Sequence, residues 1–341
     1  MRVVLVGATG AVGTQMLSIL EQRNFPLDEL VPVASARSAG RLLSFRDDSH
    51  EVVPLTASVF DGADIAFFDV PDEVSKQWAP VAAGRGAVVI DKSAAWRTHP
   101  EVPLVVPEVN PQDASNRPLG IIASPNCTTL TIVIPLYALH ERWGLRRLVL
   151  ASYQAASGAG KAGTDELWDQ TERIVKDRDA AVAGLGREVL EAGPTFKHPI
   201  SFNVVPQCGS IRDEGYTSEE IKLSDESRKI MGLPDLHVTA TCVRVPVVVG
   251  HSVAVHAEFD EEVSAEEARS ILSVTEGVEL RDRIEDAVYP TPLEAAGTDP
   301  CYVGRIRRDR LDPRALEMFC VADNLRKGAA LNTVQVAELL T

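Results

Sequence analysis

The chain has 341 residues, too many for one ordinary hydrophobic core, so two domains are expected. Hydrophobic residues make up 45% and charged residues 24%, the balance of an ordinary soluble protein. Its 34 Lys and Arg against 49 Asp and Glu give a net charge of −15, which argues against nucleic acid or an anionic membrane as partner. The cysteines Cys127, Cys208, Cys242, Cys301 and Cys320 form no CxxC pair. That spacing fits neither a disulfide scaffold nor a metal site, and it points to a reducing, cytoplasmic setting. No signal-peptide core opens the sequence, and no apolar run reaches membrane-spanning length.

Residues 3–6 are a β-branched and aliphatic run, predicted as a strand buried on both faces. Gly7-Ala8-Thr9-Gly10-Ala11-Val12-Gly13 follows, then a helical pattern over 12–20 with Met16, Leu17 and Leu20 on one face. Strand, glycine turn and helix in that order form a variant of the dinucleotide fingerprint. Gly7 permits the tight turn, Gly10 lets backbone approach a pyrophosphate, and Gly13 allows close helix–strand packing. A second strand is predicted over 30–34. An NAD site would carry a carboxylate at its end, but here stands Ser35-Ala36-Arg37-Ser38. Arg37 and Ser38 suit a 2′-phosphate, which favours NADP; a solvated loop arginine is the alternative.

Further strands are predicted over 65–68, 87–90 and 104–106, with a helix over 73–83 among them, an alternating α/β series. Arg97 follows the strand ending near Asp91, at the end where open parallel sheets take ligands. It is a candidate for an anionic substrate, though a surface arginine reads the same way. A strand over 119–123 runs into Ser124-Pro125-Asn126-Cys127-Thr128-Thr129, and an apolar helix follows. A cysteine there meets the positive end of a helix dipole and unpaired N–H groups, which favour thiolate and can hold an oxyanion. A buried structural cysteine satisfies the same six residues.

In the second half, residues 148–153 read as a strand and enter the glycine-rich loop 154–160, which lacks the helix pattern of a phosphate loop but lets backbone lie close to a cofactor ring. Residues 238–259 alternate in β-rich runs suited to an antiparallel sheet, and Arg244 and His251 lie within them. Ser218 is expected to cap a helix on which Glu219 and Lys222, three apart, share a face. They suit an amino group and a phosphate, or an ordinary ion pair with each other. The last stretch, 331–340, is a closing helix.

Together these segments resemble aspartate-semialdehyde dehydrogenase over essentially the full length. The resemblance rests on Gly7–Gly13, Ser124–Thr129, Ser152–Gly160, Arg244-Val-Pro-Val247, Gly250-His-Ser252 and Asp323–Ala330 in order. It implies an α/β fold: a Rossmann-type doubly wound parallel sheet over 1–126 and 324–341, with an inserted catalytic and dimerisation domain over 127–323. The inserted domain would hold a mixed, largely antiparallel sheet, and the protein would be a homodimer. The implied activity is NADP-dependent reductive dephosphorylation of 4-phospho-L-aspartate to L-aspartate 4-semialdehyde through a cysteine thioester. It serves lysine, methionine and threonine synthesis.

By the same resemblance Cys127 is the nucleophile, His251 the acid/base, and Gln154 lies beside the reacting carbon. Arg244 binds the substrate carboxylate and Glu219 its amino group; Arg97, Lys222 and Asn126 serve the phosphate. Gly7, Thr9, Gly10, Ala11, Val12, Gly13, Arg37, Ser38, Ser157, Gly158 and Asn324 match cofactor contacts. The implied partners are the small-molecule substrate and inorganic phosphate, with no metal. Cys208 stands where the family more often has an acidic residue after Pro-Gln, and no role carries over to it. Two alternatives are an enzyme like N-acetyl-gamma-glutamyl-phosphate reductase and a non-catalytic NADP-sensing Rossmann protein. The first would leave Glu219 without a cation to pair; the second has no need of Cys127 with His251.

Overall fold

A computed structural model describes residues 1–184 and 186–341. They divide into two compact units: Met1–Val133 with Asp225–Pro234 and Leu325–Thr341, and Ile134–Ser224 with Asp235–Asn324.

The first unit is built on six parallel strands in the order Val53–Pro54, Glu29–Ala34, Arg2–Val6, Ile65–Phe68, Val88–Asp91, Ile121–Ala123. The chain winds outward in one direction from Arg2–Val6, returns beside it with Ile65–Phe68, and winds the other way. That reversal opens a crevice at the carboxyl ends of the two strands, where the glycine loop lies. Val3, Val4 and Leu5 are wholly buried, as a strand covered on both faces requires. Helix Ala11–Gln22 lays Met16, Leu17, Ile19 and Leu20 onto the sheet. The closing helix Leu331–Glu338 packs Val334, Val336 and Ala337 into the same core. It is fixed to the first helix by a two-pronged Arg23–Glu338 pair, 2.6 and 2.7 Å. Buried Lys327 reaches both oxygens of Glu108, at 2.8 and 2.7 Å, so neither charge is left without its partner.

The expected strand over 104–106 is absent as such. Leu104 makes a single bridge to Ala123. The local backbone is instead held by Asn110, whose side chain accepts from Val106 N and donates to Leu104 O, both at 2.9 Å.

The second unit centres on six strands in the order His237–Arg244, Leu145–Gln154, His251–Phe259, Ala315–Ala322, Cys301–Arg308, Val278–Leu280. The two β-rich runs over 238–259 are not neighbours. Leu145–Gln154 lies between them, parallel to the first and antiparallel to the second, so the sheet is mixed. The expectation of a loop over 154–160 is corrected at its end. A short 3-10 turn, Ala156–Ala159, passes into helix Gly160–Lys176. Gly160 turns the chain at φ +72°, and Gly163 is required because a Cβ there would lie 2.5 Å from Ala156 O. On that helix Glu166 accepts from Thr195 N at 2.8 Å, and Gln170 Oε1 accepts from Ile200 N at 2.7 Å and Ser201 N at 3.1 Å. These bonds fix the segment that carries Phe196.

Helix Ser218–Met231 is capped by Thr217 rather than by Ser218. Thr217 Oγ1 accepts from Glu220 N at 3.3 Å and Glu220 Oε2 accepts from Thr217 N at 2.7 Å, a reciprocal capping box. Among the described residues no helix is long and apolar enough to cross a membrane.

Candidate active site

In the first unit the glycine loop has the geometry its spacing predicts. Gly7 sits at φ +98°, and a Cβ on it would lie 2.1 Å from Asp69 O. A Cβ on Gly13 would lie 2.3 Å from Gly7 O. Both positions exclude any side chain. Gly10 is the N-cap of helix Ala11–Gln22 and supplies no side-chain cap; the Asp69 carboxylate accepts the Gly13 N–H, and the remaining first-turn N–H groups are those suited to a ligand. The glycine turn and the helix start that follows it fit a dinucleotide pyrophosphate. Thr9, Ala11 and Val12 belong to the same turn. Arg37 is exposed, and Ser38 closes a turn by donating its N–H to Ser35 O at 2.8 Å.

Cys127 is the first residue of the 17-residue helix Cys127–Trp143. Asn126 is its N-cap: Asn126 Oδ1 accepts from Thr128 N at 2.8 Å. The Asn126 N–H donates to Glu226 Oε2 at 2.6 Å, and the other oxygen of Glu226 accepts from Arg97 Nη1 at 3.0 Å. Arg97 is 5% exposed, and its Nη2 donates to Lys92 O at 2.6 Å. Lys229 ties down the loop that carries Arg97 by donating to the carbonyls of Arg97, His99 and Val102 at 2.7–2.8 Å. Glu226, Lys229 and Lys92 were not singled out from sequence. A charged residue in a helix or after a strand reads as surface until the fold covers it.

In the second unit, sheet register gathers four site residues at one end. Arg244 pairs with Gln154 across parallel strands, and the next strand begins with His251, opposite Ala322. Asn324 lies two residues past the end of that last strand. His251 is wholly buried, and its Nδ1 accepts from Ala155 N at 3.1 Å. In the neutral ring this bond leaves the proton on Nε2. Arg244 donates to Ala155 O at 2.6 Å and stands 5.9 Å from the Phe196 ring centroid. Gly158 lets both groups in, because a Cβ there would lie 2.6 Å from Arg244 Nη1 and 3.0 Å from His251 Cε1.

Asn324 donates from Nδ2 to Ser157 Oγ at 2.9 Å and accepts the Gly250 N–H at 2.8 Å, fixing the residue before His251. Gln154 donates to Glu219 at 3.4 Å, and Lys222 donates to the other Glu219 oxygen at 2.7 Å. The two helix residues therefore hold each other in this structure. Cys242 lies near by, but burial pushes its thiol far above the ordinary range, and Cys320 likewise, which leaves both inert near neutral pH.

The chain is an oxidoreductase of the semialdehyde dehydrogenase type by its family matches. Residues 2–117 match "Semialdehyde dehydrogenase, NAD binding domain" and residues 136–327 match "Semialdehyde dehydrogenase, dimerisation domain". The chain is 51% identical over 343 residues to aspartate-semialdehyde dehydrogenase of Streptomyces akiyoshiensis, covering 100% of this chain and 98% of that protein. It is 46% identical to the Aquifex aeolicus enzyme, covering 99% and 97%. The crystal structure of aspartate semialdehyde dehydrogenase II from Vibrio cholerae complexed with ASA superposes with a TM-score of 0.92 at 41% identity, covering 99% and 97%. The chain belongs to the aspartate-semialdehyde dehydrogenase family.

Proposed function

We propose that the chain interconverts 4-phospho-L-aspartate and L-aspartate 4-semialdehyde through a thioester on Cys127, with NADP as cofactor. The observation that carries this reading is Cys127 at the first position of a long helix capped by Asn126. A thiol there is biased toward thiolate by the helix dipole.

In the oxidative direction Cys127 Sγ bonds to the aldehyde carbon, and the carbonyl oxygen takes a proton. His251 Nε2 is the atom suited to deliver that proton and to remove it when the carbonyl re-forms. Bound NADP supplies the hydride exchange at the carbon that Cys127 holds. Inorganic phosphate then attacks the thioester carbonyl, and the thiolate departs, leaving the acyl phosphate. Arg97 and Lys222 are the cations for phosphate, with Asn126, next to Cys127 in sequence, as a helper; Arg244 takes the substrate carboxylate and Glu219 its ammonium. Gln154, bonded to Glu219, borders the reacting carbon.

Arg244→Lys costs ~1.5–3 kcal/mol of transition-state binding, read as a fall in kcat/KM, because an ammonium cannot bond Ala155 O and also grip a carboxylate with two parallel bonds. Unaltered kinetics in that variant would remove Arg244 from the substrate site. For the cofactor, the lack of a carboxylate at the end of strand Glu29–Ala34 supports NADP over NAD. Arg37→Ala raises the KM for NADP and leaves that for NAD little changed. Equal use of both cofactors by the unmodified protein contradicts this preference.

A homodimer is supported by the sheet face that carries Val149 and Tyr153, 37% and 41% exposed, with Ala254 and Phe319 in the row between them, across from Ala151. Such a half-apolar face suits an isologous contact. A cytoplasmic setting is supported by the cysteine pattern. The test of function is phosphate-dependent NADP reduction with aspartate semialdehyde against N-acetylglutamate semialdehyde. Activity with the first alone is expected, and preference for the second would overturn the assignment.

A further inference from the structure

Lys92 follows the strand Val88–Asp91 and is largely withdrawn from solvent. Its Nζ donates to Pro125 O at 3.0 Å, the carbonyl two residues before Cys127. Its own carbonyl is held by Arg97, Arg97 is held by Glu226, and Glu226 holds the Asn126 N–H. The lysine is thus joined at both ends to the turn that presents the thiol. We propose that Lys92 is a positioning residue whose ammonium stabilises the Cys127 thiolate while anchoring the Ser124–Cys127 turn. The inference rests on Cys127 being the nucleophile.

The charges facing Lys92 are Arg97, Cys127, Glu226 and Asp69, with Asp91 adjacent in sequence. Burial and the Arg97 guanidinium push the ammonium down to about 8, while Cys127, Glu226 and Asp69 hold it up. Asp69 and Asp91 are themselves pushed up by burial. Lys92 is therefore charged below about pH 8 and neutral above it. An opposite charge favours the ionised form of its neighbour. A protonated Lys92 therefore favours the ionised form of the Cys127 thiol.

The experiment is the rate of iodoacetamide alkylation of the full-length protein from pH 5 to 10, with the modified peptide assigned by mass and residual activity followed in parallel. In the unmodified protein the Cys127 rate reaches its plateau below pH 8. A rate still climbing at pH 9 overturns the proposal without any variant. Lys92→Met removes charge and donor; Lys92→Gln keeps a donor for Pro125 O and removes only charge. Both move the midpoint up by about one pH unit, a roughly tenfold slower reaction at pH 7, with an unchanged plateau at pH 10. If Lys92→Gln titrates like the unmodified protein, the ammonium charge has no such role and the proposal falls. Alkylation of Cys127 that leaves activity intact removes the nucleophile reading instead, and the midpoints still judge Lys92.

Discussion

Cys127→Ser lowers turnover by at least ~10,000-fold. A serine hydroxyl at a helix start remains protonated near neutral pH, where the helix dipole and nearby Lys92 favour a thiolate. The alkoxide is also a poor leaving group, so phosphate could not release the acyl group. Substitution of a single half-buried sulfur by oxygen leaves the fold intact, and cofactor binding should persist. Steady-state kcat and NADP titration of the same preparation check both halves. Turnover within tenfold of the unmodified protein would exclude Cys127 as the nucleophile.

His251→Asn lowers kcat by ~100–10,000-fold, the usual contribution of a positioned acid/base. Asparagine is chosen because its side-chain oxygen can accept the Ala155 N–H that Nδ1 now accepts. What is lost is the mobile proton on Nε2. Cys127 stays alkylatable in this variant, so stopped turnover with a reactive thiol separates proton transfer from nucleophile formation. A kcat within tenfold of the unmodified protein would remove His251 from the proton path.

Much of the candidate site was legible because its residues sit in local motifs. The glycine spacing worked because Gly7 and Gly13 face backbone atoms closer than any Cβ tolerates. Cys127 was legible from an apolar strand, a proline and an apolar helix in succession. What escaped is what only tertiary packing creates. Lys92 and Glu226 are ordinary charged residues until Arg97 and the Asn126 N–H claim them. Helix Gly160–Lys176 escaped too; its Gly160 serves a turn and its Gly163 a close approach to Ala156 O, both set by tertiary packing. Asn126 carried a signal that was passed over: an Asn before a helix start is an N-cap, and its Oδ1 bonds Thr128 N. The mixed sheet order could not be read from alternation, since period two reports burial and not which strand lies alongside.

The gathering of Gln154, Arg244 and His251 follows from that order. Two parallel strands end, and their antiparallel neighbour begins, at the same edge of the sheet. Asn324 then braces Ser157 and the Gly250 N–H beside His251. Residues far apart in sequence thereby share one bonded frame within the second unit.

The most direct measurement is a phosphate-free single turnover. The protein is mixed with excess NADP and aspartate semialdehyde, reduced cofactor is followed by absorbance, and the quenched protein is mapped by peptide mass. A burst of about one reduced cofactor per active subunit is expected, with an aspartyl adduct on the Cys127 peptide that is released when phosphate is added. Steady turnover with no adduct, or full activity after Cys127 has been completely carboxymethylated, would contradict a thioester on Cys127.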